Sequence, residues 1–264
     1  LCASAENLEH ASFKSYSYEQ SYFESIPYNR FRLFFDLKSK NLVDKIENNS
    51  ISLNEVVTIH TGIRSRIGQK NIISEVRQGE NWKRGLISGS EVCRYYLKYS
   101  GYFINVDSNL LWGGGFDTNV ILKDKLLLRQ TGDSLIATYD SEKFYHLNNV
   151  HSIALKPEKL YNLKYILALL NSKLMNHYYH LISLEVGRTM AQLDIETIEQ
   201  LPIKEASKQE QREIVVLVDK MLGLNKQLND LAFAGQQEAI QKEIDVTDIQ
   251  LDEKVFDLYG LTEE

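Results

Sequence analysis

The most continuous apolar stretch of the chain spans residues 162–182 and reads NLKYILALLNSKLMNHYYHLI. Almost every position from 163 to 170 is apolar, which is too continuous for a helix with one solvated face. The stretch has no interior Gly or Pro, its composition favours helix, and Asn162 can cap the first turn. The pattern predicts one buried helix around which the rest of the chain is organised.

Short apolar runs separated by Gly and polar residues precede this helix, as is typical of strands and turns. Before them, helical spacing over 32–46 ends at the polar segment 48–50. We expect strands at 53–59, 86–87, 101–105, 110–112, 119–122, 125–131, 134–140 and 150–155.

The part that follows the buried helix has the pattern of amphipathic helices. A short helical piece at 193–200 stops before Pro202, and a longer helix with one apolar stripe is predicted over 208–231. Gly235 can close that helix, and residues 236–243 continue as another. The tail offers a stop at Gly260 and the docking residues Ile249, Val255, Phe256 and Leu258. Together the patterns predict an α+β fold, with a twisted and mainly antiparallel β lobe, a buried central helix and a C-terminal helical brace.

Composition excludes several classes of protein. The 264 residues are 43% hydrophobic and 25% charged, no apolar run is long enough to span a bilayer, and the N-terminus lacks a signal-peptide pattern, so we expect a cytoplasmic protein. Cys2 and Cys93 have no CxxC spacing, which argues against a zinc site or a disulfide framework. Because the chain begins at Leu1, we expect it to be a fragment of something longer.

Charge is segregated along the chain, although the net charge is −6. Residues 60–100 contain eight basic and three acidic side chains, whereas residues 204–264 contain seven basic and fourteen acidic ones. This asymmetry indicates a basic working face on an acidic scaffold, or simply two differently solvated surfaces.

Motifs for catalysis are weak in this sequence. The run 113–115 is Gly-Gly-Gly, but strand character is expected directly after it, so a hairpin or bulge is favoured over a phosphate loop. His177 and His180 share a helical face without further metal ligands and are expected to pack in the core. Asp252 and Lys254 match the end of a nuclease motif, which occurs often by chance. We therefore expect no catalytic residue and no metal site in this chain.

The remaining candidates are side chains that can bind DNA. Arg and Gln can each contact a base through two hydrogen bonds, whereas Lys and Thr mostly hold phosphates. The candidates lie in a polar loop, a turn, two strand ends and the segment after the central helix: Arg64, Arg66, Lys70, Lys83, Arg84, Arg94, Arg129, Gln130, Thr131, Arg188 and Thr189. The alternative for each of them is an ordinary surface ion pair.

Seven segments occur in an order that resembles a known family. They are TGI at 61–63, LISGSEVCRYY at 86–96, KLLLRQTG at 125–132, YILALLNSKLMNHYY at 165–179, LPI at 201–203, QEQREIVVLVDKML at 209–222 and LDEKVFDLYGLTEE at 251–264. From Leu53 to the end, the chain resembles the TaqI-like C-terminal specificity domain of bacterial restriction and modification enzymes. Its LPI segment and long helix also resemble the helical spacer of type I specificity subunits.

The resemblance implies a role in target recognition. Such domains bind double-stranded DNA for a methyltransferase part of the same chain, which uses S-adenosylmethionine to methylate the amino group of adenine, with Mg2+ needed where the enzyme also cleaves. It implies a junction with the catalytic half at 1–52, a target-recognition lobe at 53–203 and a helical scaffold at 204–264. No cofactor is expected in this chain itself, because Pro27, Pro157 and Pro202 are isolated and the Asn-Pro-Pro-Tyr loop of adenine methyltransferases is missing.

Two other functions remain open. The acidic helices could make the chain a protein-interaction or specificity-subunit module that assembles a restriction-modification complex. A self-contained nuclease that uses Asp252 and Lys254 is the third hypothesis.

Overall fold

The computed structural model describes residues 17–24, 37–157, 159–183, 188, 191–230 and 234–261. They belong to two compact units, Leu1–Leu42 and Val43–Glu264, which are described separately. The helices of the described residues are α1 Gln20–Glu24, α2 Leu37–Glu47, α3 Leu53–Val56, α4 Thr118–Ile121, α5 Leu163–Asn171, α6 Lys173–Ile182, α7 Ile195–Glu199, α8 Lys208–Asp230 and α9 Ala234–Leu258. The strands are β1 Ser50–Ser52, β2 Val57–Thr61, β3 Ile73–Ser74, β4 Trp82–Leu86, β5 Val92–Cys93, β6 Tyr96–Leu97, β7 Phe103–Asn105, β8 Lys125–Arg129, β9 Ala137–Asp140, β10 Tyr145–His146, β11 Val150–Leu155 and β12 Pro202–Lys204.

The first unit contains a small aromatic cluster around α1. The rings of Tyr18, Tyr22 and Phe23 lie 5.2 to 5.7 Å apart, and the Lys40 ammonium lies 5.9 Å from the centre of the Tyr22 ring. Aromatic pairs at this separation stabilise a short helix that its own hydrogen bonds would not hold.

Among the described residues, the β part of the second unit consists of two four-stranded sheets and two antiparallel strand pairs, β1–β12 and β5–β6. The central sheet has the order β2-β11-β8-β9 and is antiparallel throughout, and the three leucines of β8 are fully buried. The outer sheet has the order β10-β4-β7-β3, in which only the β10–β4 pair is parallel. The expected mainly antiparallel β lobe in an α+β fold is thus confirmed.

The buried stretch at 162–182 forms two helices, so the prediction of one helix is wrong. α5 ends at Asn171 and α6 begins at Lys173, because Ser172 has an extended backbone and its hydroxyl accepts a hydrogen bond from the Met175 N–H. Asn171 bonds through its amide to both the N–H and the C=O of Ala137 on β9, at 2.9 and 3.0 Å. This pairing fixes the helix end against the central sheet.

Other local predictions are wrong because short polar side chains cap helices. Leu53–Val56 is helical rather than extended, since the Glu55 carboxylate accepts the Ser52 N–H at 3.2 Å in a capping box. Thr118–Ile121 is helical because Asp117 accepts the Asn119 N–H at 2.8 Å. The strand expected at 110–112 is instead the junction of two 3₁₀ turns, with a single bridge at Leu111.

The C-terminal brace consists of α8 and α9, which pack against each other and against α5. The predicted helix over 208–231 is confirmed as far as Asp230, and its stripe buries Ile214, Val218, Met221 and Leu224. Gly235 lies inside α9 rather than ending a helix, and α9 extends through most of the predicted tail. Of the predicted docking residues, Val255 is buried but Ile249 is exposed. No helix in the described part of the chain has the length and hydropathy needed to cross a membrane.

A buried ion pair connects β8 to β9. Lys125 Nζ lies 2.6 Å from Asp140 Oδ2 with both side chains buried, and it also donates to the Ile121 carbonyl at 3.2 Å. The Asp140 carboxylate additionally accepts three backbone N–H groups, those of Glu142, Lys143 and Phe144, and so closes the turn after β9. Burial lowers the pKa of Lys125 more than attraction to Asp140 raises it.

Replacing Asp140 by Ala should destabilise the fold by about 3 to 5 kcal/mol, because the change leaves a buried ammonium and three backbone N–H groups without the carboxylate that accepts their hydrogen bonds. Lys125→Met should cost less, since the Asp140 carboxylate keeps its backbone donors. Urea unfolding of both variants measures the difference. Equal losses below 1 kcal/mol would contradict a structural role for this pair.

His146 makes stability depend on pH. It is fully buried, and burial lowers its pKa to about 3 from the ordinary value near 6.5. Between these two pKa values the unfolded chain binds a proton at His146 and the folded chain does not. The contribution of His146 to the free energy of unfolding is therefore complete above pH 6.5 and declines from there towards pH 3. From pH 7 to pH 5 the loss from this group should be about 2 kcal/mol. Urea unfolding at both pH values should show a smaller decline in His146→Gln, and parallel declines would contradict the assignment.

Candidate nucleic-acid interface

Residues 62–72, which we call the basic loop, are tied to the segment 106–117. The Arg66 N–H donates to the Leu110 carbonyl at 2.9 Å, and the Trp112 N–H donates to the Arg64 carbonyl at 2.9 Å. Ser65 and Leu111 form an isolated antiparallel bridge between these two bonds. The two segments therefore form a short ladder and hold each other in place.

The other side of the basic loop is fixed to the segment between the two sheets. The Ile63 N–H donates to the His146 carbonyl at 2.9 Å, and the Asn148 N–H donates to the Ile63 carbonyl at 3.1 Å. Gln69 donates to the Asn148 side chain at 2.9 Å and accepts the Ser65 N–H at 3.2 Å. An apolar cluster supports the loop from below: Ile63, Ile72, Ile104, Leu111 and Leu147.

The cations of the basic loop are exposed. Within the described residues, no carboxylate lies within salt-bridge distance of Arg64, Arg66 or Lys70. The Arg66 guanidinium lies 5.3 Å from the centre of the Trp112 ring, and 61% of the Trp112 side chain is exposed. A rigid segment thus presents three positive charges and one indole to solvent, which suits an anionic partner with flat bases.

Lys83 and Arg84 follow the basic loop on strand β4, where their side chains alternate between the two faces of the outer sheet. Lys83 pairs with Ile104, is half-buried and has no ion-pair partner among the described residues. Arg84 is paired with Glu142 at 2.9 Å and lies over the rings of Tyr99 and Phe144 at 4.8 and 4.4 Å. Arg84 therefore supports the aromatic residues around it.

Arg94 connects the β5–β6 hairpin to the helical brace. Its guanidinium makes two hydrogen bonds to Asp248 on α9, at 2.7 and 3.1 Å, and donates to the Asn171 carbonyl at 2.9 Å. Burial acts to lower the pKa of Arg94, but the hydrogen bonds and attraction to Asp248 outweigh it and raise the pKa. The residue joins two parts of the fold.

Arg129, Gln130 and Thr131 lie at the end of β8 in the central sheet. Arg129 donates to the Val92 carbonyl at 2.7 Å, and the Gln130 backbone bonds to Asn149 and Leu193. Thr131 is exposed, and its hydroxyl lies close to Gly89. A Cβ added to Gly89 would be 3.2 Å from that hydroxyl. β8 pairs with one edge of β11, and the other edge of β11 pairs with β2, the strand that leads into the basic loop.

The last two predicted contacts follow α6. Arg188 is exposed, and Thr189 lies outside the described residues. They occur in the polar interruption between the two halves of the helical part, away in sequence from the basic loop.

The segment at 113–115 is not the predicted hairpin or bulge. It belongs to a 3₁₀ turn in which Gly113 has a φ of 62°, and Gly115 caps it with a φ of 98°. The helix Thr118–Ile121 follows, so the strand expected after the glycines is absent. With four residues, this helix is too short to hold a phosphate at its N-terminus.

The weaker catalytic candidates have structural partners in the described residues. His180 bonds to the Asp133 carbonyl at 2.9 Å, whereas His177 is exposed rather than packed in the core. Lys254 pairs with Glu213 at 3.0 Å, and the buried Asp252 accepts the Lys173 N–H at 2.9 Å, at the first turn of α6. No group of three His, Cys, Asp or Glu residues in the described part of the chain could hold a metal ion.

Sequence reasoning missed Trp112 and Gly62. A lone Trp before three glycines is a signal for an exposed turn, whereas the apolar pattern predicts a strand at 110–112. Gly62, in the TGI segment, is needed for close approach, because a Cβ there would overlap the Leu147 carbonyl and lie 2.6 Å from His146 Nδ1.

Gly62→Ala should therefore displace the basic loop and destabilise the fold by about 2 to 3 kcal/mol. Gly223→Ala is the matched control, because Gly223 lies in α8 with nothing within 4 Å of an added Cβ. That change should stabilise the helix by about 0.5 to 1 kcal/mol. Thermal unfolding of both variants tests the pair, and unchanged stability in Gly62→Ala would show that the loop does not need this contact.

Comparisons with known proteins agree with this architecture. The family described as TaqI-like C-terminal specificity domain matches residues 84–203. No curated protein sequence matches significantly.

Two solved structures are similar to this chain to different degrees. The Type IIL restriction-modification enzyme MmeI, solved in complex with DNA, has a TM-score of 0.56 at 11% identity, covering 81% of this chain and 34% of its own. The S subunit of a type I restriction-modification system from M. genitalium has a TM-score of 0.44 at 17% identity, covering 75% of this chain and 44% of its own. The second score is too low to carry an argument, and the chain spans about a third of the length of MmeI.

The family match covers the outer sheet from Arg84, the central sheet from β8 and both buried helices, and the likeness to MmeI extends the fold over most of the chain. Residues 84–203, a little under half of the chain, therefore match the TaqI-like C-terminal specificity domain family that the sequence resembles, and MmeI shares the fold.

Proposed function

We propose that this chain binds double-stranded DNA in a sequence-specific manner and directs a cytoplasmic adenine methyltransferase to its target. The observation that carries the proposal is the basic loop, where Arg64, Arg66 and Lys70 are exposed without a carboxylate partner among the described residues. The Arg66 charge lies beside the exposed Trp112 indole, and the backbone of the loop is held from two sides. Such a surface can attract phosphates and reach base edges.

We divide the proposed DNA contacts by whether their side chains already have partners within the fold. We retain Arg64, Arg66 and Lys70 as the principal contacts and Lys83 as their neighbour on β4. The side chains of Arg84, Arg94 and Arg129 are already bonded inside the fold, and we assign them to support of the surface. Gln130, Thr131, Arg188 and Thr189 would contact DNA only if it extends to the end of β8 and the segment after α6.

The catalytic step belongs to a part of the enzyme outside this sequence. We propose that a methyltransferase part of the same chain binds S-adenosylmethionine and methylates the amino group of the target adenine, with Mg2+ bound if it also cleaves. Residues 1–52 would join that part, 53–203 would read the target, and 204–264 would act as the helical scaffold. The DNA complex of MmeI, three times as long as the matched region, supports this arrangement.

A second candidate function is protein interaction through the brace. α8 and α9 expose the apolar side chains of Val216, Val246 and Ile249 by 66%, 52% and 51%, which a partner protein could cover. Sedimentation of the chain alone separates the two functions. A stable oligomer without affinity for any duplex would favour interaction over DNA recognition.

The DNA proposal predicts a salt-dependent loss on neutralising the basic loop. Each of Arg64→Ala, Arg66→Ala and Lys70→Ala that removes a phosphate contact should lower the slope of log affinity against log salt by about 0.9. A lost base contact should instead cost about 1 to 3 kcal/mol at one base pair. Fluorescence anisotropy with a labelled 30-base-pair duplex, at salt concentrations between 50 and 200 mM, measures the slope.

Lys226→Ala is the matched control, because Lys226 is an exposed cation on α8 with no ion-pair partner in the described part of the chain. It should leave the slope unchanged. Equal slopes in the wild type and all three loop variants would contradict DNA binding through the basic loop.

A further inference from the structure

Trp112 is exposed in a way that packing does not explain. Eight large apolar side chains are strongly exposed among the described residues, and Trp112 is the only aromatic one, with 61% of its surface exposed. A solvated indole loses the favourable burial that the same residue gains in a core. We therefore look for a partner that would cover the exposed Trp112 side chain.

The backbone beneath the indole is fixed. The Trp112 N–H donates to the Arg64 carbonyl at 2.9 Å. The Trp112 carbonyl accepts the Gly115 N–H at 3.3 Å, which closes the 3₁₀ turn. Gly113 follows with a φ of 62°, and nothing lies within 4 Å of the position where its Cβ would be. The turn thus presents the indole next to backbone that carries no side chain, so another molecule can approach closely.

One positive charge lies next to this indole, on a loop that carries two more. The Arg66 guanidinium lies over the ring at 5.3 Å, and Arg64 and Lys70 belong to the same loop. A cation at this distance leaves the opposite face of the ring for another flat group. Phosphate for the guanidinium and a base for the indole are the two groups that a nucleic acid supplies together.

We propose that Trp112 is a wedge that stacks on one base pair and partly opens a base step of the bound duplex. This inference rests on the proposed DNA recognition. The indole has one N–H donor and no acceptor, so it cannot read a base edge by paired hydrogen bonds. Its flat apolar surface is suited to stacking, and an inserted apolar side chain kinks a duplex at flexible steps. Trp112 would then select DNA by the ease of opening a step rather than by base-edge contacts.

The test compares two duplexes of 25 base pairs that differ by one central mispair. A mispaired step is already partly unstacked, so wild-type protein should bind that duplex about 10-fold more tightly, because less free energy is spent on opening the step. Trp112→Ala should bind the paired duplex about 10-fold more weakly than wild type and lose the preference for the mispair. Trp112→Phe should keep the preference, because a smaller ring still stacks. Leu122→Ala, which shortens another exposed apolar side chain, is the control and should match wild type.

Fluorescence gives a second readout that a purely structural role would not change. The chain has two tryptophans, so Trp82→Phe leaves Trp112 as the reporter. Stacking on a base should quench its emission by at least half when the paired duplex is added, whereas contact with phosphates alone should leave it nearly unchanged.

The outcomes separate the two proposals. If wild type binds both duplexes but Trp112→Ala keeps the same preference and Trp112 emission is unchanged, the wedge is overturned and DNA recognition stands. If wild type binds neither duplex at 50 mM salt, DNA recognition itself is overturned and the wedge with it.

Discussion

The segment 145–150 is the part of the chain on which the rest of the β lobe depends. It ends the outer sheet with β10 and begins the central sheet with β11, so its backbone joins the two. The Leu147 N–H bonds to the Leu86 carbonyl at 3.0 Å, and the His146 carbonyl accepts the Ile63 N–H at 2.9 Å. Because these bonds are buried, each would be expensive to leave unmade. The basic loop therefore has its position set by the same segment that sets the angle between the sheets.

Charged side chains divide into those that build the scaffold and those that it displays. Arg94 spans from the β lobe to Asp248 on the brace, and Arg84 stacks on two aromatic rings. Arginines in bidentate or stacked contacts lose little side-chain conformational entropy for each contact they make, and they stabilise the surface around them. No cation of the basic loop has a carboxylate partner among the described residues, and Arg66 lies only over the exposed ring of Trp112, so the positive charge of the loop is left for a partner.

Repetitive apolar patterns predicted much of the fold. Helix boundaries that depend on caps, and side-chain roles that depend on partners distant in sequence, could not be predicted in this way. The helix at Lys208–Asp230 and the strands Lys125–Arg129 and Val150–Leu155 follow from periodicity alone. The break at Ser172 does not, because the pairing of Asn171 with Ala137 that fixes it is a tertiary contact. Within the candidate site, the loop cations were evident in sequence. The ion pair of Arg94 with Asp248 was not evident, because the two residues are 154 positions apart in the sequence.

Selection of bound duplexes from a randomised DNA pool, at two salt concentrations and with the 264-residue chain, tests the central claim most directly. The account predicts one enriched sequence motif whose recovery declines as salt rises, because base contacts choose the site while the basic loop binds phosphates. Failure to recover any duplex at low salt would contradict the account and favour protein interaction through the helical brace.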